Sequence, residues 1–227
     1  MIATLYASSA TPWPLRAGVV HVWRFANDQE ADATSLSPDE HHRAARFAAR
    51  AHRDAYVVQH AMVRGLLARY LAISPSAIAF ERGAHGKPRV TSVTGVTGLH
   101  HNLAHADDVA LLAVARDIEL GIDLERYDAA IDPTKLARLV LAPVETGCVE
   151  RRAFLRVWCR KEACLKATGV GLLDDLTSVA VLDDTVTLDG TTVHLQDLDV
   201  ADHAAALATL QPCDAIRGPL EDYFVKS

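Results

Sequence analysis

Two tracts of helical periodicity dominate this chain, and each lies between short runs of β-branched or alternating residues. The first opens at Ser37-Pro38-Asp39-Glu40. There Ser37 can cap, Pro38 suits the first helical position and Glu40 completes a capping box. It is read as one helix running to about Leu71 and ended by Ser74-Pro75. The second is a helical tract from Asp132, strongest over Val149 to Thr168. Gly18 to Phe25 precedes the first helix as a strand, and Ile78 to Val90 follows it as strand, turn and strand. Val109 to Ala115 and Glu119 to Glu125 read as paired strands turning near Arg116-Asp117. A hairpin across Leu188-Asp189-Gly190 and a strand at His203 to Leu210 come last. Strand, long helix and strands thus occur twice, which divides the chain into halves 1–116 and 117–227.

Composition limits what such halves can do. Of 227 residues, 50% are hydrophobic and 23% charged, enough to build a globular core. The net charge of −6 argues against nucleic acid as a partner, so any anion must be met by a local basic cluster. Cys148, Cys159, Cys164 and Cys213 form no CxxC pair and read as small hydrophobes of a reducing cytoplasm. No basic segment precedes a long apolar run at the N-terminus, and about 18 consecutive apolar residues occur nowhere, so neither signal peptide nor membrane span is expected.

The residue that packing does not explain is Glu162. It shares a helical stripe with Leu155, Trp158 and Leu165, where a core would take Leu or Ile. Lys166, one turn on, could neutralise it through an i,i+4 pair. Alternatively Glu162 meets Asp123 and Glu125, two acids on one face of the Gly121-Ile122-Asp123-Leu124-Glu125 strand, around a hard divalent cation. Taken alone, the two strand acids read as a solvated surface.

Gly121 to Glu125, followed by Trp158, Lys161, Glu162, Ala163, Lys166, Gly169, Gly171 and Leu172, resembles the double signature of the surfactin-synthetase-activating (Sfp-like) 4′-phosphopantetheinyl transferases. His85-Gly86-Lys87-Pro88 is similar to that family's GKP loop, Asn102 to His105 to its N-[IL]-S-H segment, and Leu141 to Glu145 to its F-x-P-x-E. The resemblance implies an α+β fold of two pseudo-symmetric halves, each a long helix on a small antiparallel sheet, with the active site between them. It also implies a cytoplasmic monomer that transfers 4′-phosphopantetheine from coenzyme A to a serine of an acyl or peptidyl carrier protein, releasing adenosine 3′,5′-bisphosphate. Asp123, Glu125 and Glu162 would hold Mg²⁺ or Mn²⁺. Asp123, Glu162 and Lys166 would be catalytic, with Glu162 or a metal-bound water as base.

On the coenzyme side, Arg43, Arg46, Arg50 and Arg53 recur along one face of the first helix, opposite Ala44, Phe47, Ala51, Val58 and Met62. The stripe is either a solvated face or, as the resemblance implies, a site for the 3′-phosphate of coenzyme A, with Arg46 and Arg53 as its carriers. The resemblance gives Gly86, Lys87, Pro88 and His105 to the nucleotide and diphosphate, and Lys161 and Lys166 to the phosphates. His100, His101, His105, Asp107 and Asp108 crowd together as zinc ligands would, but no HExxH or CxxC accompanies them. Arg151, Arg152, Arg156 and Arg160, with the Gly169 to Leu172 loop, are candidate contacts for the carrier. Two other readings are a metal-dependent hydrolase of the coenzyme A diphosphate and an idle coenzyme A-binding module.

Overall fold

The first helix begins as its capping box dictates. In the computed structural model, which describes residues 12–83, 86–92, 95–169, 175–213 and 215–216, the Ser37 hydroxyl accepts the Glu40 N–H at 3.3 Å. The Glu40 carboxylate accepts the Ser37 N–H at 2.8 Å. The expected single helix, however, is two: α1 (Pro38–Ala45) and α2 (Arg50–Leu71). Arg46 and Phe47 close the end of α1 with tight bonds to Arg43 O and Ala44 O. The residues at the break are good helix formers, so propensity does not mark it. Long-range pairing does. Glu40 accepts from His60 Nδ1 at 2.9 Å and from Arg64 Nε at 2.7 Å. On one straight helix Glu40 and His60 would stand about 30 Å apart. The break interrupts the expected arginine stripe and leaves Phe47 37% exposed against the Tyr56 ring and Ala51 exposed, whereas Ala44, Val58 and Met62 are buried as expected.

The strands form three sheets. One has the order β11 (Ala215–Ile216), β1 (Val19–Ala26), β6 (Val109–Arg116), β5 (Leu99–Ala106). A second has the order β7 (Leu120–Arg126), β10 (His203–Thr209), β9 (Thr191–Asp197), β8 (Thr185–Leu188). The third joins β2 (Ala79–Arg82), β3 (Pro88–Ser92) and β4 (Gly95–Val96). All pairings are antiparallel except β11 with β1. β6 and β7 therefore do not pair with each other as expected. β6 lies between β1 and β5, and β7 pairs with β10 in the other sheet. The strand that displaces β7 is β5, whose His- and Asn-rich sequence carries little strand signal.

The layers run helix, sheet, sheet, helix. Val58, Met62, Leu66 and Leu67 of α2 share one core with Trp23, Leu112 and Val114 of the first sheet. Phe154, Leu155, Ala163 and Ala167 of α4 (Arg151–Thr168) share another with Leu195, Ala204 and Ala206 of the second. Between the sheets, Val20, Val22 and Leu111 meet Leu120, Ile122, Leu124 and Leu207. The Asn102 carboxamide oxygen accepts the Ile122 N–H at 2.8 Å and stitches β5 to β7. Ahead of α4 runs α3 (Pro133–Val140). No helix among the described residues is long and apolar enough to cross a membrane.

Gly121 sets how closely α4 lies on β7. A Cβ there would run into the Ala163 carbonyl oxygen and the Ala167 amide nitrogen, and would stand 2.7 Å from Lys166 Cβ. Two of these obstacles are helix backbone, which cannot rotate away. Gly121→Ala should therefore cost about 3 kcal/mol by overpacking and lower Tm by roughly 6–12 °C, as read by thermal denaturation.

Candidate active site

β7 alternates across its two faces. Ile122 and Leu124 enter the core between the sheets, and Asp123 and Glu125 turn toward α4. The close approach at Gly121 brings Glu162 and Lys166 of α4 to the same place. Lys166 Nζ donates to Asp123 Oδ1 at 2.7 Å and to the Ile122 carbonyl at 3.2 Å. It thus pairs with the strand acid across the cleft, and the i,i+4 pair with Glu162 is not the arrangement that forms.

Three carboxylates face one ammonium here, and their protonation reflects the deficit. Burial raises the Asp123 pKa against the opposing pull of Lys166. Glu162 is raised first by burial and then by the Asp123 charge. Glu125 is pushed up to about 7 by burial, then by Asp123, with Glu162 and Asp107 adding to it. Asp123 is 7% exposed, and its Oδ2 is buried without a hydrogen-bond partner. An unpaired carboxylate oxygen in that setting costs about 1–3 kcal/mol or more. The acids are not drawn into a ready-made cage: among the described residues, no three His, Cys, Asp or Glu side chains stand as a metal-holding group. The donor set nonetheless fits a hard cation, being all carboxylate with one oxygen unsatisfied.

Other side chains complete the cleft wall. His105, at the exposed end of β5, has its pKa lowered by burial and then by Lys166, with Asp123 acting oppositely. The Cys159 thiol donates to the Ala204 carbonyl at 3.4 Å. Burial, then the Asp123 charge, holds that thiol well above its usual pKa. The histidine cluster separates because neighbours on a strand face opposite ways. His100 approaches Glu119 at 3.3 Å, while His101 is buried against the Phe80 ring.

Several expected phosphate contacts stand elsewhere. Lys161 is 3% exposed and donates to the Val140 and Leu176 carbonyls at 2.6 and 2.9 Å. It also pairs at 2.7 Å with Glu145, which has no exposure. Its three donors are used inside the fold, so Lys161 is a strut and not a phosphate ligand. Lys87 likewise spends its ammonium on Glu119, the Leu120 carbonyl and the Ala167 carbonyl, at 2.7, 2.9 and 3.5 Å. Gly86 holds φ +82° in an exposed turn that ends as Pro88 starts β3. Arg46 is exposed at the end of α1, and Arg53 reaches Asp54 at 3.3 Å. The α4 arginines are engaged as well. Arg151 donates to Ala129 O, and Arg152 lies 4.3 Å over Tyr127. Arg156 pairs with Asp197, and Arg160 with Asp184. His85, Gly171 and Leu172 lie outside the described residues.

Comparison with known proteins bears directly on this cleft. The family model described as the 4′-phosphopantetheinyl transferase superfamily matches residues 119–210, which contain all three acids and Lys166. That for the N-terminal part of 4′-phosphopantetheinyl transferases matches residues 22–117. The 4′-phosphopantetheinyl transferase HetI of Nostoc sp. is 34% identical over 165 residues, 67% of this chain and 70% of the relative. The chain belongs to the 4′-phosphopantetheinyl transferase superfamily. It is a transferase enzyme of that type. The putative 4′-phosphopantetheinyl transferase slr0495 of Synechocystis sp. is 30% identical over 151 residues, 63% of this chain and 61% of the relative. The phosphopantetheinyl transferase of Thraustochytrium sp. is 26% identical over 206 residues, 76% and 69% of the two chains.

For a phosphopantetheinyl transferase, the residues that sequence reasoning passed over here are those acting through others. Asn102 and Glu145 entered the sequence reading only as members of matched motifs and Cys159 only as a small hydrophobe, none with the partner the fold gives it. Two outcomes follow from the geometry. Removing one member of the buried pair by Lys161→Met should cost on the order of 3–5 kcal/mol, measured by denaturant unfolding. The raised Glu125 pKa means that the folded state holds its proton more tightly than the unfolded chain. Stability is therefore lost as pH rises from the ordinary value of 4.5 through about 7. In metal-free buffer, Glu125→Gln should raise Tm at pH 8 by about 2–4 °C, roughly 1 kcal/mol, with the gain fading toward pH 4.5.

Proposed function

We propose that this enzyme transfers the 4′-phosphopantetheine arm of coenzyme A to a serine hydroxyl of an acyl or peptidyl carrier protein, in the manner of the surfactin-synthetase-activating type, with adenosine 3′,5′-bisphosphate as leaving group. The observation that carries this reading is the buried, unpartnered Oδ2 of Asp123 beside two further acids whose pKa values it raises. Such a cluster is completed by Mg²⁺ or Mn²⁺ held by Asp123, Glu125 and Glu162. A bound divalent ion would withdraw charge from the linked phosphates of coenzyme A.

The chain's own residues supply the remainder. Glu162 stands at the edge of an apolar stripe, its pKa raised by burial and then by Asp123, and its carboxylate is the group assigned to take the proton of an incoming serine hydroxyl. Lys166 is the cation paired with Asp123, so its charge is placed to offset negative charge on the transferring or leaving phosphate. His105, close enough to feel both Lys166 and Asp123, is the residue assigned to donate to the diphosphate. The 3′-phosphate falls to the exposed arginines at the junction of α1 and α2, with Arg46 and Arg53 foremost. Both halves of the cleft come from one chain, which favours a monomer.

Incubation with coenzyme A, Mg²⁺ and an apo-carrier should add one phosphopantetheine to the carrier, read by intact-protein mass spectrometry. Release of bisphosphoadenosine without any carrier, and none with modification, would replace this reading with hydrolysis. Glu162→Gln should abolish transfer while coenzyme A binding, followed by calorimetry, persists. Full transfer by that variant would remove Glu162 from the role of base.

A further inference from the structure

Lys87 bonds to three parts of the fold beside the acid cluster. It stands in the turn ahead of β3. Its ammonium binds the side chain of Glu119, just before β7, the carbonyl of Leu120, the first residue of β7, and the carbonyl of Ala167, in the last turn of α4. Carbonyls at a helix end lack intrahelical partners, and the helix dipole favours a cation there. Glu119 in turn gathers Lys87 at 2.7 Å, Arg89 at 3.3 Å and His100 at 3.3 Å. Its backbone carbonyl accepts the Leu210 N–H at 3.0 Å, which fixes it to the end of β10. The side chains of Lys87 and Glu119 are 15% and 25% exposed, so solvent screens the pair only in part.

Ala167 follows Lys166, and Leu120 precedes Asp123 by three residues on the same strand. A single ammonium thus spans both carbonyls, 2.9 Å from Leu120 O and 3.5 Å from Ala167 O, where the end of α4 lies over the start of β7. Gly121 sits in that contact, where no Cβ fits. We propose that Lys87 and Glu119 form a positioning brace for the transfer reaction, setting the spacing of β7 and α4 on which the cluster of Asp123, Glu162 and Lys166 depends. This inference rests on the proposed function for its kinetic consequences. It assigns the lysine to the architecture of the acid cluster and not to direct contact with the coenzyme.

The test compares the full chain with Lys87→Met, Glu119→Gln and the double variant. The readouts are amide hydrogen exchange over 119–126 and 161–168, coenzyme A affinity without metal by calorimetry, Mn²⁺ affinity by electron paramagnetic resonance, and kcat and KM for transfer. A brace predicts faster exchange in both segments for each single variant. Mn²⁺ affinity and kcat should fall on the order of tenfold, as when outer partners of metal ligands are removed, with coenzyme A affinity and KM held. The double variant should be no worse than the poorer single one, because both remove one shared interaction. Coenzyme A affinity lost in Lys87→Met but kept or improved in Glu119→Gln would overturn the brace in favour of a direct ligand. Additive losses, or unchanged exchange and kcat in both single variants, would also overturn it. Wild-type protein that neither binds coenzyme A nor modifies a carrier would end the functional reading instead, and the exchange comparison would still decide the brace.

Discussion

Everything distinctive in this molecule depends on one close approach, that of a helix backbone onto a strand at Gly121. Because that residue has no Cβ, α4 can lie near enough to β7 for Lys166 to reach Asp123 at 2.7 Å, with Glu162 and Glu125 in the same field. The approach stabilises the fold through burial of Phe154, Leu155, Ala163 and Ala167. It also forces together three like charges that only one ammonium offsets. The site is the place where packing and electrostatics are in conflict, and strain of that kind marks functional positions.

The conflict stands out against the treatment of other buried acids. Glu145, with no exposure, accepts from the Ala142 and Val181 amides and from Lys161, so both oxygens are satisfied. Glu40 accepts from Ser37, His60 and Arg64 in the same complete way. Asp123 has Lys166 on one oxygen and no hydrogen-bond partner on the other. A chain able to satisfy two buried carboxylates fully leaves the third incomplete where β7 meets α4. That difference sets Asp123 apart from the two fully paired acids.

Much of the cleft was legible because its parts have local signatures. The alternation in Gly121 to Glu125 placed both acids on one face, and the helical stripe of Leu155, Trp158 and Leu165 marked Glu162 as out of place. Capping chemistry located the start of α1, and the turn at Asp189-Gly190, both at positive φ, located the β8–β9 hairpin. What failed had no local signal. The break between α1 and α2 is imposed by Glu40 meeting residues twenty and twenty-four positions away. β5 escaped notice because its polar side chains face Glu119, Lys166 and Ile122 N–H, partners that alternation cannot reveal. Without β5, β6 and β7 read as a hairpin.

The sequence by itself determined the chemistry of the cleft: which acids share a face, which helix carries a charge where Leu belongs, and which family these motifs resemble. These are properties of short segments, in which spacing along the backbone fixes direction in space. Only the tertiary structure decided what each lysine does. Lys87, Lys161 and Lys166 are equivalent in sequence, each a long flexible cation beside a motif. Their carbonyl and carboxylate partners come from segments fifteen to eighty positions away. A flexible side chain carries no record of which distant acceptor it will meet, so two became struts and one was left at the acids.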